Sequence, residues 1–369
     1  MNIVITGGGT GGHVNPGLAV ANTIREKDPE AQISFVGTSR GIENKLVPKA
    51  GYPLYHVEIT GLRRSLSLSN IKTLYLTVTS VFKAKKLLKR MEPDAVFATG
   101  GYVCYPVVKA AHQMGIPVFL HESNAIPGVA IRMLEKYAQT VFVNFEECIK
   151  HLKEPNKAIR VGNPMLASGL PVTGEMERKN LGVGSQYQHF LLSFGGSMGA
   201  EQVNFAILRL MRDYTSKHPE ILHIHATGSI EYEIAKKKFY DYNLEQYPNL
   251  QLLEYIYDMP QKMAAADLVI CRAGSMTLSE LAILSKPCIL IPSPNVTNNH
   301  QFKNADVLRC AGAAILIEEK DLADGSLTAK VQEILDNPRQ LRKMANEIQK
   351  FAITDANEQI YQNIVKAIH

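Results

Sequence analysis

The sequence predicts an α/β protein with two Rossmann-like domains, and three observations support this fold class. Short apolar runs, typical of strands buried on both faces, alternate with segments of helical spacing, which predicts parallel sheets. Both halves of the chain open on such a strand followed by a glycine-rich turn, at residues 3–12 and 190–200. Both halves later contain an aspartate-led strand that ends in glycine, at residues 94–101 and 267–274. We expect the two domains to face each other across a cleft.

The composition is that of a globular protein. The chain has 369 residues, of which 46% are hydrophobic and 20% charged, so it is long enough for two domains with separate cores. Residues 1–5 lead directly into a strand, so we expect no signal peptide, and no apolar run approaches the ~18 residues of a membrane span. The net charge of +5 is compatible with an anionic partner but does not indicate nucleic acid.

The cysteines indicate a reducing, cytoplasmic environment. They are odd in number and scattered, without a CxxC pair, so we expect buried thiols and neither a disulfide framework nor a metal site. The five residues are Cys104, Cys148, Cys271, Cys288 and Cys310.

The elements of the first half follow the chain in a regular order. A helix is expected to begin near Pro16, because proline suits the first helical turn. Strands are predicted at residues 3–6, 32–36, 94–98, 118–120 and 140–143, the last being the final strand of this half.

The second half repeats the plan after a boundary at residues 162–164, a Gly-Asn-Pro sequence. The segment from there to about residue 184 has linker composition. Further strands are predicted at residues 190–194, 222–228, 250–253, 268–271 and 287–292, with helical pattern from 329 to 369. The predicted domains are residues 1–163 and 164–349, and the final helix, about 350–369, is expected to pack back on the first domain.

The first glycine-rich turn contains Gly7, Gly9 and Gly12, which fit the spacing G-x-G-x-x-G. A dinucleotide site would also need an acid at the end of the second strand to bind the ribose. Residues 37–40 read Gly-Thr-Ser-Arg, so a nicotinamide cofactor is not expected here. His13 lies at the edge of the turn, where it is either a plain hydrogen-bonding residue or a catalytic histidine.

Residues 267–280 combine a buried strand, a glycine turn and a new helix N-terminus. Unpaired N–H groups and the helix dipole at such a turn form an anion site. Ser275 and Thr277 add hydroxyls, and Glu280 lies one helical turn further on, where a carboxylate can reach a sugar diol. The alternative is an ordinary βα unit with a well-capped helix.

Polar residues also follow the strand at residues 118–120, in the run His121-Glu122-Ser123-Asn124. Ligands of open parallel sheets bind outside the carboxyl ends of the strands. An Asx-type turn would explain Asn124 but not the whole cluster.

Residues 67–90 combine an apolar stripe with many lysines. One interpretation is a core-facing helix with a solvated basic face. The other is a surface that contacts anionic lipid headgroups. The stripe consists of Ile71, Leu74, Tyr75, Val78, Val81 and Phe82.

Five motifs together resemble one protein family in order and spacing. They are TGGGTGGHVNPGLAVA (residues 6–21), HESNAIPG (121–128), GNP (162–164), GGSMGA (195–200) and CRAGSMTLSEL (271–281). The chain resembles the MurG family of bacterial N-acetylglucosaminyltransferases over essentially its whole length. The resemblance implies a two-domain glycosyltransferase fold of the B type. It also implies a peripheral enzyme of peptidoglycan synthesis at the cytoplasmic face of the cell membrane.

The resemblance implies a reaction as well. UDP-N-acetylglucosamine would be the donor, and the acceptor would be the 4-hydroxyl of undecaprenyl-pyrophosphoryl-N-acetylmuramoyl-pentapeptide, which converts lipid I to lipid II. The anomeric carbon would be inverted by direct displacement of UDP. The sequence contains no D-x-D motif and no histidine–cysteine cluster with ligand spacing, so we expect neither a metal nor another cofactor.

The resemblance places most donor contacts on the C-terminal domain. Ser197 would contact the nucleotide diphosphate and the backbone of Ile256 the uracil ring. Phosphate would be bound at the helix start, and Glu280 would accept the ribose hydroxyls, while Gln301 would contact the sugar. The residues implied at the helix start are Ser275, Met276 and Thr277.

The resemblance assigns the transferring sugar and the proton transfer to the N-terminal domain. His13 would be the general base or would orient the acceptor, with Glu122 as the alternative proton acceptor. A positioned base of this kind typically contributes a factor of about 10²–10⁴. The residues implied to contact the sugar are Thr10, Gly11, Gly12 and Asn124.

The chain departs from the family pattern at three places. Met198 and Ser123 stand where the family commonly has glutamine. Met165 and Leu166 occupy the place where an arginine often follows the GNP motif, so a phosphate contact is not expected there.

Other functions remain open at this point. A UDP-N-acetylglucosamine 2-epimerase would share the fold and the donor but would need no lipid acceptor. Another UDP-sugar transferase would use a soluble acceptor, and a nucleotide-sugar sensor would need no catalytic histidine. An NAD-linked oxidoreductase is disfavoured by the missing strand-end acid.

Overall fold

The computed structural model describes residues 1–59, 69–166, 174–196 and 198–368, apart from the side chains of residues 69–78 and 324. The chain divides into two compact units. The N-terminal unit comprises Met1–Ala167 and Ile353–His369, and the C-terminal unit comprises Ser168–Ala352. Each unit is a parallel sheet with helices between its strands, which confirms the predicted fold class.

The described part of the N-terminal unit contains a seven-stranded sheet in the order β3-β2-β1-β4-β5-β6-β7, in which all neighbouring strands are parallel. The strands are β1 (Asn2–Thr6), β2 (Gln32–Gly37), β3 (Leu54–His56), β4 (Ala95–Ala98), β5 (Val118–Glu122), β6 (Thr140–Val143) and β7 (Ala158–Arg160). The helices are α1 (Gly11–Lys27), α2 (Glu43–Lys49), α3 (Ser69–Met91), α4 (Cys104–Gln113), α5 (Val129–Leu134) and α6 (Glu146–Ile149).

The C-terminal unit repeats this topology in a six-stranded parallel sheet of order β10-β9-β8-β11-β12-β13, as far as the chain is described. The strands are β8 (His189–Phe194), β9 (Ile221–Ala226), β10 (Leu250–Leu253), β11 (Leu268–Cys271), β12 (Cys288–Leu290) and β13 (Ala314–Leu316). The helices are α7 (Gly174–Asn180), α8 (Glu201–Asp213), α9 (Tyr232–Asp241), α10 (Met259–Ala265), α11 (Ser275–Ile283), α12 (His300–Cys310), α13 (Ser326–Leu335) and α14 (Pro338–Gln349).

The last helix, α15 (Ala356–Ile368), belongs to the N-terminal unit. Ile360 and Ile364 are fully buried and join the core cluster beneath α1. The Asn357 amide donates to the Met165 carbonyl at 2.9 Å and accepts the Met165 N–H at 3.0 Å. This pair of hydrogen bonds attaches the start of α15 to the segment that follows the Gly-Asn-Pro motif.

The central strands are apolar on both faces because helices cover both sides of each sheet. In β1, Ile3, Val4 and Ile5 are completely buried, and so are all four residues of β11. These continuous apolar runs were the features that the sequence pattern identified correctly.

Several predicted boundaries are wrong. Helix α1 begins at Gly11, not near Pro16, because the extended Thr10 is its N-cap and the Thr10 carbonyl accepts the Val14 N–H at 3.2 Å. Residues 140–143 are not the last strand of their half, since β7 follows at the sheet edge. The predicted linker to residue 184 contains helix α7.

Helix α3 lies where residues 67–90 were predicted to form a helix; residues 67 and 68, and the side chains of the stripe residues Ile71, Leu74, Tyr75 and Val78, lie outside the described residues. Val81, Ala84 and Leu88 face the core. Phe82, which the predicted stripe included, is instead 68% exposed, next to the exposed Lys83 on the same helix. Within the described ranges, every helix is too short or too polar for a membrane span.

The cysteines are free thiols, and four of them are buried as predicted. Cys310, at the end of α12, is exposed, so the expectation of burial is wrong for this residue.

Candidate active site

The topology fixes where the loops of each unit converge. In the N-terminal unit, β1 and β4 are neighbours in the sheet. The strands that directly follow β1 in the chain lie on one side of this pair, and those that follow β4 lie on the other. In the C-terminal unit, β8 and β11 occupy the same positions. Ligands of such sheets bind outside the carboxyl ends of the strands at this switch point. Both glycine-rich turns follow the first strand of their unit, so they lie at these positions.

His13 lies in the first turn of α1, with its ring against the first glycine loop. Its Nδ1 lies 3.0 Å from the Gly8 carbonyl oxygen and 3.4 Å from the Thr10 hydroxyl. Because a carbonyl only accepts hydrogen bonds, Nδ1 carries the proton in the neutral ring. The Nε2 atom of the neutral ring is then the one with a lone pair, which is the state that a general base requires.

The turn after β4 packs directly against this ring. Gly100 has φ +116°, and a Cβ at this position would lie 2.8 Å from the His13 Cδ2 atom. Gly101 has φ +91°, and a Cβ there would lie 2.5 Å from the Gly8 oxygen. Thr99 donates its hydroxyl to the His13 carbonyl at 2.6 Å. The glycine pair is therefore required by both backbone conformation and space.

Glu122 ends β5 and is buried. Its Oε1 accepts the backbone N–H and the side-chain amide of Asn124, both at 2.9 Å, and its Oε2 accepts the Gly128 N–H at 2.7 Å. Both carboxylate oxygens thus bind the loop that follows β5, and the predicted sugar contact Asn124 is held by Glu122.

Glu43 is a buried residue that the sequence analysis missed. Its carboxylate accepts the Gly9 N–H at 2.9 Å, the Thr38 N–H at 3.0 Å and the Thr38 hydroxyl at 2.8 Å. Burial disfavours the charged form, but these hydrogen bonds outweigh it and lower the pKa of Glu43. A strand-end acid was expected within residues 37–40, and Glu43, at the start of α2, lies just beyond them.

In the C-terminal unit, the anion site is predicted at the start of α11. Gly274 is the N-cap, with φ −68° and ψ 133°, and it has no side chain to accept an N–H of the first turn. That turn contains Ser275, Met276 and Thr277 and no acidic residue. Helix geometry directs their N–H groups and the positive end of the dipole beyond Gly274, so an anion is stabilised there.

Glu280 lies on the next turn of the same helix. Burial raises its pKa to about 7, because the charged carboxylate is removed from water without compensation. Within the described residues, no hydrogen bond to this carboxylate is formed. An uncompensated carboxylate one turn from an anion site is suited to accept hydrogen bonds from a ligand's hydroxyl groups.

Gln301, in the first turn of α12, has a fixed orientation. Its Oε1 accepts the Ser293 N–H at 2.9 Å, so its amide nitrogen faces the other way as a donor. Arg272, another residue that the sequence analysis did not select, donates to the carbonyls of Ile291 and Pro292, each at 3.2 Å. Its guanidinium also pairs with Glu319. These contacts fix the loop after β12 beside the strand that leads into the anion site.

The comparisons with known proteins point to one family. Family models for the glycosyltransferase family 28 N-terminal and C-terminal domains match residues 3–143 and 190–360. The UDP-N-acetylglucosamine--N-acetylmuramyl-(pentapeptide) pyrophosphoryl-undecaprenol N-acetylglucosamine transferase of Acetivibrio thermocellus is 40% identical over 368 residues, covering 100% of this chain and 98% of that protein. A crystal structure of Acinetobacter baumannii MurG has a TM-score of 0.80 at 28% identity, over 99% of both chains. The chain belongs to the MurG family.

A structural likeness beyond the MurG family concerns the fold alone. The UDP-GlcNAc 2-epimerase of Neisseria meningitidis, solved with UDP-GlcNAc bound, has a TM-score of 0.68 at 17% identity. The match covers 99% of this chain and 100% of that one. The epimerase alternative therefore has a distant structural relative, whereas MurG-family transferases match in sequence over the whole chain.

The resemblance implies two further donor contacts, Ser197 and Ile256. Ser197 lies outside the described residues, between Gly196 and the exposed Met198 of the second glycine loop. Ile256 follows β10, at the edge of the sheet, and its side chain is buried. A role for Ile256 through its backbone is compatible with this burial and stays a prediction.

The second glycine loop is supported by close backbone packing. Gly199 has φ +96°, and a Cβ there would lie 2.6 Å from the Thr227 oxygen. Gly228 has φ +82°, and a Cβ on it would lie 2.2 Å from the Gly199 nitrogen. The loop after β8 therefore lies directly on the loop after β9.

A chain of buried polar groups continues from this contact into the sheet. The Asn204 amide donates to the Thr227 carbonyl at 3.0 Å, and its oxygen accepts His225 Nε2–H at 3.1 Å. The Ser193 hydroxyl lies 2.9 Å from His225 Nδ1 and 2.9 Å from His223 Nε2. Burial lowers the pKa of His225 to about 4 and that of His223 well below its ordinary value, so both rings are neutral.

No three histidine, cysteine, aspartate or glutamate side chains in the described residues are arranged to hold a metal ion. The absence of a metal requirement, expected from the sequence, stays a prediction.

Proposed function

We propose that this chain is an inverting N-acetylglucosaminyltransferase of peptidoglycan synthesis. It moves N-acetylglucosamine from UDP-N-acetylglucosamine to the 4-hydroxyl of undecaprenyl-pyrophosphoryl-N-acetylmuramoyl-pentapeptide, converting lipid I to lipid II. The observation that carries the proposal is 40% identity over the whole chain to the Acetivibrio thermocellus transferase, whose name specifies this sugar transfer.

The donor binds to the C-terminal unit in this proposal. Its diphosphate lies beyond Gly274, at the start of α11, and Glu280 accepts hydrogen bonds from the ribose hydroxyls. Negative charge grows on the diphosphate as UDP departs, and fixed N–H donors stabilise it without reorganisation. Loss of one such donor in a dry site typically costs about 3–4 kcal/mol.

His13 is the proposed general base. With the Nδ1 proton held by the Gly8 carbonyl, Nε2 of the neutral ring can take the proton of the attacking hydroxyl. Glu122, the predicted alternative, uses both carboxylate oxygens to hold Asn124 and Gly128. We therefore propose that Glu122 positions the Asn124 loop and that His13 takes the proton.

The acceptor is lipid-linked, so the enzyme must work at a membrane. We propose peripheral association with the cytoplasmic face, through the exposed face of α3 that carries Phe82 and its neighbouring lysines. An apolar ring next to basic side chains matches a surface that inserts into anionic lipid headgroups. Co-sedimentation with anionic vesicles tests this directly: Phe82→Ser should weaken binding, and a charge-neutral vesicle should bind less protein than an anionic one.

A transfer assay tests the proposed reaction. Purified enzyme is given radiolabelled UDP-N-acetylglucosamine with a lipid-linked N-acetylmuramoyl-pentapeptide acceptor, with a soluble muramoyl acceptor, or alone. We expect label in the lipid product, inversion at the anomeric carbon, and an intact donor when the acceptor is omitted. Isomerisation of the donor alone would establish the epimerase alternative, and exclusive use of the soluble acceptor would establish a different transferase.

A chelator control belongs to the same assay. Full activity after EDTA treatment is expected, since the proposed leaving-group stabilisation uses backbone N–H groups. Loss of activity that added Mg²⁺ or Mn²⁺ restores would contradict metal-independent transfer.

A further inference from the structure

The carboxylate of Glu43 lies beneath the first glycine loop, in a pocket formed by three glycines from two segments, the glycine loop and the end of β2 with its following turn. A Cβ at Gly8 would lie 2.5 Å from its Oε1, one at Gly37 would lie 2.7 Å from its Cγ, and one at Gly41 would lie 1.9 Å from its Oε2. Any side chain at these positions would displace the carboxylate. The three glycines thus leave room for this one buried charge.

The contacts of Glu43 and His13 meet on a single peptide group. Glu43 Oε2 accepts the Gly9 N–H at 2.9 Å, and the Gly8 carbonyl lies 3.0 Å from His13 Nδ1. This carbonyl and this N–H belong to the same peptide unit, which is planar, with the two groups pointing in opposite directions. The carboxylate therefore lies on one side of the Gly8–Gly9 peptide and the imidazole on the other.

This arrangement has two physical consequences. Fixing the N–H also fixes the direction of the carbonyl, because the peptide cannot rotate about its C–N bond. Hydrogen bonds in series also polarise one another, so a carboxylate on the N–H makes the carbonyl a stronger acceptor. Both effects favour the His13 tautomer with the proton on Nδ1 and the lone pair on Nε2.

We propose that Glu43 is a positioning residue that orients His13 through the Gly8–Gly9 peptide. The inference rests on the proposed transfer reaction, in which His13 is the base. Glu43 contacts no substrate in this account. It has the function of the carboxylate that orients histidine in catalytic triads, with one peptide group inserted between the two side chains.

Glu43→Gln is the most direct variant. A carboxylate offers two acceptor oxygens, whereas an amide offers one oxygen and one donor group. The Gly9 N–H is bound by one carboxylate oxygen of Glu43 and the Thr38 N–H by the other. In the glutamine variant an NH2 group replaces one of these oxygens, so one of the two backbone N–H groups faces another donor. We expect the kcat of transfer to fall about 10- to 100-fold, while the KM for UDP-N-acetylglucosamine changes less than about twofold.

A double-mutant cycle separates positioning from a general loss of structure. We compare wild type, His13→Ala, Glu43→Gln and the double variant in the lipid-acceptor assay, together with their melting temperatures. If Glu43 acts through His13, the double variant is no slower than His13→Ala. If the two fold-losses multiply, Glu43 acts independently of His13 and the proposal is overturned.

Glu135→Gln is the matched control. Glu135 is also a buried carboxylate of the N-terminal unit that accepts backbone N–H groups, from Lys153 at 2.8 Å and Glu154 at 3.4 Å, but it lies in the segment between α5 and β6, and neither donor belongs to the first glycine loop. The fold-loss in kcat caused by Glu135→Gln, whatever its size, should multiply with the fold-loss caused by His13→Ala. If Glu43→Gln does not fold, Thr38→Ala removes only the hydroxyl donor to the carboxylate and enters the same cycle, where its loss should also vanish in the His13→Ala background.

The outcomes for the reaction and for Glu43 can be told apart. A wild-type protein that transfers no sugar to the lipid acceptor contradicts the proposed function itself. A wild type that transfers, with His13→Ala strongly impaired and Glu43→Gln at the wild-type rate, overturns the role of Glu43 alone.

Discussion

At the residue scale, the two proposed key side chains must both present a lone pair to a hydroxyl group, and they do so in different ways. His13 must present a lone pair, which the hydrogen bond from Nδ1–H to the Gly8 carbonyl leaves on Nε2. Glu280 must accept hydrogen bonds from the ribose hydroxyls, and it lies in a site where burial alone raises its pKa to about 7. The hydrogen bond that orients His13 is present before the substrate binds, whereas the hydrogen bonds to Glu280 are proposed to form with the bound donor.

Removal of the base should slow the chemical step and leave donor binding intact. For His13→Ala we expect kcat to fall by about 10² to 10⁴, since this is the usual contribution of a positioned base. The dissociation constant of UDP, measured by calorimetry, should stay within about twofold. His56→Ala, in the same unit but hydrogen-bonded only to Asn44 in the described structure, is the control. A wild-type kcat in His13→Ala would rule out this histidine as the base.

The raised pKa of Glu280 makes donor binding depend on pH. Below about pH 7 the unliganded carboxyl is increasingly protonated and presents fewer acceptor sites, so affinity for UDP should fall as the pH is lowered from 8 to 6. Glu280→Gln should bind UDP about tenfold or more weakly at pH 8, and its affinity should be nearly independent of pH. An unchanged pH dependence in the variant would show that another group is responsible.

The same group also affects the stability of the free protein, with a sign that can be checked. Because folding raises the pKa of Glu280 above its value in the unfolded chain, the folded state binds more protons between about pH 4.5 and 7, and its contribution to stability is lost as the pH rises. Glu280→Gln should therefore stabilise the C-terminal unit at pH 8, by roughly 3 kcal/mol at most, and have much less effect at pH 5. Urea unfolding of the unliganded protein at the two pH values measures this difference.

The sequence revealed some of these residues more easily than others. His13 and Glu280 each stand in the same short segment as the glycine turn that they serve, so local spacing was sufficient. Glu43 serves a loop more than thirty positions away, and its role appears only when β2 lies beside β1. The contacts of Arg272 likewise depend on the pairing of β11 with β12.

At the scale of elements, the start of α11 is shaped for binding at the expense of helix stability. Its N-cap is glycine, whereas asparagine, aspartate, serine and threonine stabilise this position best. A side chain that capped the helix would occupy the N–H groups that the donor diphosphate is proposed to use. The glycine N-cap is compatible with the proposed anion site, but it is not particular to α11, since α5 and α13 also have a glycine there.

A capping side chain at residue 274 tests whether helix capping and diphosphate binding compete for the same N–H groups. A Cβ at Gly274 would meet no atom within 4 Å, and its backbone conformation suits any residue. Gly274→Asp should raise stability by about 0.5–1 kcal/mol and weaken UDP binding at least tenfold, because its carboxylate competes with phosphate for the same N–H groups. Gly274→Ala is the control and should bind UDP nearly as well as the wild type. Equal binding by the aspartate variant would exclude the diphosphate from this helix end.

Strands could be predicted from the sequence where every residue of the strand is buried, and less well at the edges of the sheets. The central strands form apolar runs that need helices on both faces, and all of them were predicted within a few residues. The three-residue strands β3, β7 and β13 are short, partly exposed and close to the ends of their sheets, so they have no such run. Helix α7 contains no buried residue and therefore has no apolar stripe to detect.

At the scale of the whole molecule, both units bury neutral histidines. His223 and His225 lie in the hydrogen-bonded chain of β9, and His121 in β5 donates from Nε2 to the Gly162 carbonyl at 2.9 Å. Burial lowers the pKa of His121 to about 4, as it does for His225. Each of these rings must lose its packing or hydrogen bonds before it can become charged.

Acid should therefore destabilise both units. The unfolded chain binds protons on His121 and His225 near pH 6.5, but the folded chain does not until about pH 4, so the free energy of unfolding falls as the pH decreases through this window. A lowering from 6.5 to about 4 corresponds to roughly 3 kcal/mol per histidine. Denaturant unfolding at pH 7.5 and 5, performed on Glu280→Gln to remove its opposing effect, measures this change. Equal stability at the two pH values would contradict buried neutral rings.

The central claim is that backbone N–H groups at the start of α11 bind the diphosphate of UDP-N-acetylglucosamine. A crystal structure of the enzyme with this donor or a non-hydrolysable analogue is the most direct test. We predict phosphate oxygens within hydrogen-bonding distance of the N–H groups at residues 275–277, and the ribose hydroxyls on the Glu280 carboxylate. A diphosphate bound elsewhere, with this helix end occupied only by water, would contradict the account.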